Sequence, residues 1–91
     1  MTPRYEVRLT RSARRALTEV LPESVAAAVF AFLDGPLSDN PYRVGKQLAP
    51  PLYPLFSARR GEYRVLYRIV DELVLVEVIT IAHRRDAYRS S

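Results

Sequence analysis

The side chains of this chain that could handle an anion or move a proton lie mostly in its second half. Residues 57 to 72 read SARRGEYRVLYRIVDE and place Arg59, Arg60, Arg64 and Arg68 on or beside a β-hairpin pattern. Arg43 and Lys46 precede them; His83, Arg84, Arg85 and Tyr88 follow. A guanidinium presents a planar fork of donors to phosphate or carboxylate oxygens and keeps its charge at any biological pH, so it stabilises anions rather than carrying protons. A tyrosine stacks on a base or, with its pKa lowered by cations, accepts a proton, and histidine titrates near neutrality.

Thirteen of the fourteen basic residues are arginine, Lys46 is the only lysine, and the formal net charge is +4. A polyanion or an acidic protein segment would satisfy that charge, and a GC-rich genome would produce the same arginine bias. The absence of cysteine excludes disulfides and thiolate metal ligands, and one histidine leaves little for a zinc site, so neither metal nor cofactor is expected. No apolar leader and no run of membrane-spanning length occurs, so a cytoplasmic location without membrane contact is expected. Ninety-one residues predict one domain, 1–91, with a small core.

The elements that must position the basic groups follow from periodicity. Tyr5, Val7 and Leu9 alternate with Glu6 and Arg8 as in a strand with one buried face. Ala13, Ala16, Leu17, Val20 and Leu21 then repeat at helical spacing after Thr10 or Ser12 as cap. Pro22 ends that helix and suits the first turn of a second, whose apolar face is Val25, Ala28, Val29, Phe32 and Leu33, closed by Gly35-Pro36. Residues 36–51 carry four prolines and predict a long loop; LYPLFSAR, EYRVLYRIV and LVLVEVITIA predict three strands. The order β-α-α-β-β-β predicts an α+β fold: a mostly antiparallel twisted sheet, a helical hairpin on one face, and an open basic face opposite.

Pairing Val70 with Leu73 puts Tyr63, Val65, Tyr67 and Ile69 with Thr80, Val78, Val76 and Val74 on an apolar face for the helices. Arg64, Leu66 and Arg68 then face away, with Glu77 placed to neutralise Arg68. The hairpin start and the C-terminal tail converge, so Arg59, Arg60, Arg64, Arg84 and Tyr88 can line one basic concavity about 10 to 15 Å across. Each also has a plainer reading. Arg64 equally suits a solvated strand position, and Tyr88 a packing residue. Of the neighbours Arg84 and Arg85 only one can face a site. His83 shares parity with Ile81, which favours a structural role over acid–base work, and Arg11, Arg14 and Arg15 suit a solvated helix face.

The NPYRVGKQL loop, the ARRGEYRVLYRI hairpin and the terminal IAHRRDAYR, in this order of elements, resemble the RelE/ParE superfamily of bacterial toxin-antitoxin toxins over nearly the whole chain. The resemblance implies a toxin neutralised by a cognate antitoxin. In the RelE branch it implies an endoribonuclease that enters the ribosomal A site and cuts mRNA by 2′-OH attack on the adjacent phosphate, without a metal. Carried over by motif, Arg64, Arg84 and Tyr88 are the catalytic residues, with Arg64 on the developing phosphate charge. Arg59, Arg60, Arg85, Lys46 and Arg43 are expected to hold RNA, and His83 is a possible acid–base group. The RelE pattern also carries two strand lysines, at whose positions this chain has Leu55 and Ser57. That departure leaves a ParE-like toxin acting on DNA gyrase, or an inert antitoxin-binding remnant, as the alternatives.

Overall fold

A computed structural model of the chain describes residues 4–86. Strand β1 (Glu6–Leu9) leads at Thr10 into helix α1 (Arg11–Arg15), which widens into a π-helical turn over Ala16–Val20. Thr10 is the cap: its Oγ1 accepts from the Ala13 N–H at 3.2 Å and donates to the Ile79 carbonyl at 2.6 Å, so it joins helix start to sheet. Leu21 is extended, as the residue before a proline must be, and Pro22 opens helix α2 (Glu23–Phe32). The second helix does not stop at Gly35-Pro36. It continues as a wide turn over Leu33–Leu37, because Leu33 and Leu37, one turn apart, are both buried.

Four further strands follow: β2 (Lys46–Gln47), β3 (Phe56–Arg60), β4 (Tyr63–Val70) and β5 (Leu75–His83). They form one sheet in the order β1-β5-β4-β3-β2, with β1 parallel to β5 and the other pairs antiparallel. The α+β class and the helical hairpin over one face are as expected. Strand β2 is an addition, since residues 36–51 predict only loop. It forms where Gly45 lets the backbone cross Tyr67: a Cβ on Gly45 would lie 2.1 Å from the Tyr67 hydroxyl.

The register of β4 on β5 departs from expectation twice. Val70 pairs with Leu75 rather than Leu73, because Asp71–Leu73 forms a 3₁₀ turn closed by Val74 at φ 49°. A shift of two keeps parity, so Tyr67 and Ile69 still share a face with Val78 and Val76, although Tyr67 now opposes Val78 and Ile69 opposes Val76. Between Leu66 and Tyr67 the register then slips by one residue, with Leu66 opposite Thr80 and Tyr67 opposite Val78. The extra residue reverses parity beyond it, so Thr80 shares the Leu66 face and Ile81 turns to the core with Val65.

The core lies between helices and sheet: Ala13, Val29, Phe32 and Leu37 against Val65, Tyr67, Val76 and Val78. Tyr67 is its one polar-tipped member among the described residues. Its ring stacks on Phe56 with centroids 5.5 Å apart, and its hydroxyl donates to the Pro41 carbonyl at 2.6 Å. Burial pushes its pKa up to about 12, with Arg60 pulling the other way. The opposite sheet face is less open than predicted. Leu66 is only 3% exposed there, flanked in register by Ser57 and Thr80 and along its strand by Arg64 and Arg68, whose stems are long enough to cover apolar surface.

Candidate functional site

Strand alternation sorts the hairpin arginines. Arg59 on β3 and Arg64 on β4 are directly opposite one another, on the face away from the helices. Like charges in that position repel, and an anion lying between or above them relieves that repulsion. Neither is neutralised among the described residues: the Arg59 Nε donates to the Gly61 carbonyl at 3.2 Å, and the Arg64 Nε is buried with no partner. A buried unpaired donor costs roughly 1–3 kcal/mol, more if charged, which an anion's oxygen would recover.

Arg60, expected with them, is on the other face. One residue along a strand reverses direction, and its guanidinium lies 3.6 Å from the Phe32 ring centroid, a cation–π contact with the helix layer. Arg60 therefore does not line the concavity. Arg68 makes the expected pair with Glu77, at 3.0 Å.

Gly61, at φ 60°, and Glu62 form the two-residue turn between β3 and β4, where a left-handed residue suits a glycine. The end of β5 returns to this turn, as predicted. The Arg84 N–H donates to the Glu62 carbonyl at 2.7 Å and its Nε meets the Glu62 carboxylate at 2.9 Å. Glu62 was missed as a site residue; its place in the turn facing the end of β5 was the available signal. Both partners are more than half exposed, so the pair is weak and Arg84 can exchange Glu62 for another anion. The Arg85 backbone N–H donates to His83 Nδ1 at 3.3 Å.

His83 pairs in register with Tyr63, edge to face with centroids 5.5 Å apart, on the helix side of the sheet and away from Arg64. Arg43 is exposed in the loop before β2, where Asn40 holds its backbone N–H. Lys46 stands on β2 opposite Ser57, hence on the same face as Arg59 and Arg64. Tyr88 lies outside the described residues. Among those described, no three His, Cys, Asp or Glu side chains gather as a metal ion would require.

Comparison with known proteins decides the family. The family model for the ParE toxin of type II toxin-antitoxin systems matches residues 7–88. The chain belongs to this toxin family. Two curated toxins of Mycobacterium tuberculosis are similar: Toxin RelG is 52% identical over 93% of this chain and 97% of its own length, and Toxin RelE is 51% identical over 93% and 87%. The toxin-antitoxin complex RelBE2 of Mycobacterium tuberculosis contains a chain that is 49% identical and superposes with a TM-score of 0.85, covering 94% of this chain and 98% of that one. The family model is named for ParE, but these relatives carry Rel names, so the chain is a RelE-type toxin of the family.

Proposed function

We propose that this toxin is a metal-independent endoribonuclease that cuts mRNA in the ribosomal A site, and that a cognate antitoxin holds it inactive. The observation that carries the reading is the cross-strand pair Arg59–Arg64, unneutralised and with a buried, unpartnered Arg64 Nε. Two such guanidinium groups suit the charge that builds on the non-bridging oxygens as a ribose 2′-oxygen attacks phosphorus.

Arg64 stabilises that charge and Arg59 anchors the backbone beside it. Arg84, released from Glu62 by the incoming phosphates, holds the leaving side. Arg85, Arg43 and Lys46 contribute to the RNA-binding surface. Tyr88 stacks on a base of the splayed codon, a role that rests on the motif resemblance alone. Arg60, turned to Phe32, supports the helix–sheet contact instead. The ribosome supplies substrate orientation, which lowers the barrier for a site with few groups of its own. The antitoxin brings acidic side chains to the same arginines; the RelBE2 relative was solved with its antitoxin.

Induction without antitoxin, followed by mapping of transcript 5′ ends, tests the reading. New ends within translated codons are expected. Intact transcripts with a DNA-damage response would instead place the target at gyrase, and a silent double variant Arg64→Ala/Arg84→Ala is the control.

A further inference from the structure

The proposed cleavage leaves one proton without a carrier. As the 2′-oxygen bonds to phosphorus, the P–O5′ bond breaks and the electron pair goes to the 5′-oxygen, an alkoxide that needs a proton. Guanidinium groups hold theirs too tightly to supply it, which removes Arg59, Arg64 and Arg84. His83 is on the helix side against Tyr63, and Glu77 is held by Arg68 at 3.0 Å. One described side chain on the arginine face offers a nitrogen-bound proton outside a guanidinium: the ammonium of Lys46, exposed and without a hydrogen bond or ion pair among the described residues.

Building on the mRNA-cleavage reading, we infer that Lys46 is the general acid that protonates the leaving 5′-oxygen. Its strand makes this possible. Lys46 pairs with Ser57, Ser57 is two residues from Arg59 on the same face, and Arg59 opposes Arg64. With strands about 4.8 Å apart and a rise of about 3.3 Å per residue, the Lys46 and Arg64 Cα atoms are about 12 Å apart. Two long side chains close that gap around a single phosphate. Lys46 thus brings, from the edge strand, an amine to the ground in front of Ser57, where β3 itself has none. The balance is complete: the 2′-OH proton passes to water, the Lys46 proton passes to the 5′-oxygen, and the products are a 2′,3′-cyclic phosphate and a 5′-hydroxyl end. The neutral amine then takes a proton from water.

The test uses ribosomes programmed with two mRNAs that differ in one atom, oxygen or sulfur at the bridging 5′ position of the scissile phosphate. A thiol has a pKa of about 8.5, so a thiolate departs without being protonated. The parent, Lys46→Ala and Lys46→Arg chains are compared in single-turnover cleavage at saturating toxin. Both variants are expected to lose about 100-fold or more on the oxygen substrate, the ordinary value of general acid catalysis, and to return to within about threefold of the parent on the sulfur substrate. Lys46→Arg, which keeps the charge, separates proton transfer from phosphate anchoring. Parent-like cleavage of the oxygen substrate by Lys46→Arg, or failure of sulfur to restore either variant, overturns the inference and leaves the cleavage reading intact. A parent that leaves the oxygen substrate uncut overturns both.

Discussion

Arg64 shows why a residue's neighbours matter more than its type. The chain has thirteen arginines, yet among the described residues Arg64 is the one with a buried nitrogen that nothing satisfies. If that nitrogen is reserved for a phosphate, Arg64→Ala lowers the single-turnover cleavage rate by about 10²–10³-fold, the usual loss for one electrostatic stabiliser. Arg64→Lys recovers only part of it, because an ammonium cannot reproduce the fork. Arg68→Ala, which breaks only the exposed pair with Glu77, leaves cleavage within about twofold of the parent and stability within about 1 kcal/mol. Similar rates for the Arg64 and Arg68 variants in a ribosome-programmed assay would remove Arg64 from the mechanism.

At the level of elements, the edge strand β2 lies against β3 where the Gly45 backbone passes close to the Tyr67 side chain. Gly45 crosses Tyr67 so closely that a methyl group would meet the hydroxyl at 2.1 Å and the Ser57 carbonyl at 3.1 Å. Gly45→Ala therefore pushes β2 away from β3 or Tyr67 away from Pro41, and either movement displaces Lys46. A fall in melting temperature of several degrees is expected, from a cost of about 1–3 kcal/mol, together with a loss of cleavage. Tyr67→Phe isolates the hydroxyl: it leaves the Pro41 carbonyl unpaired and is expected to cost about 1–3 kcal/mol in denaturant titration. Because the phenylalanine keeps the ring on Phe56, the m-value stays unchanged.

Across the whole molecule, Asp71 ties together three distant segments. In the turn between β4 and β5 its carboxylate accepts from the hydroxyl of Tyr5, at 2.8 Å, and from that of Tyr42. These bonds hold the Asp71 pKa below its ordinary value and raise both tyrosines, Tyr42 to about 12. A lowered carboxylate pKa contributes stability above the unfolded value, and that contribution is lost as pH falls through the lower folded one. A raised phenol contributes below its ordinary value of 10.0 and loses the contribution as pH rises toward about 12. Melting temperature measured against pH should therefore decline below about pH 4 and above about pH 10, and Asp71→Asn should flatten both limbs. No described helix is long and apolar enough to cross a membrane, and the net charge of +4 favours an acidic partner. Antitoxin association is accordingly expected to slow as salt rises from about 0.05 to 0.5 M, measured by stopped flow.

Hydrophobic period and proline placement determined the two helices, the four strands β1, β3, β4 and β5 and, as far as the bulge, the division of their faces, because such patterns are local and a residue's neighbours along the chain suffice to read them. They also separated Arg64 from the core and paired Arg68 with Glu77. What they could not reach were events that depend on another segment. The two-residue strand at Lys46 exists because Gly45 meets Tyr67, twenty-two positions away. The bulge that turns Thr80 outward and Ile81 inward is a slip between two strands, set by their pairing rather than by either sequence alone. Arg60 looks like a partner of Arg59 until the pleat sends it to Phe32. Sequence alone supplied the cationic groups; tertiary pairing decided which of them share a face, because one residue of register reverses a side chain's direction.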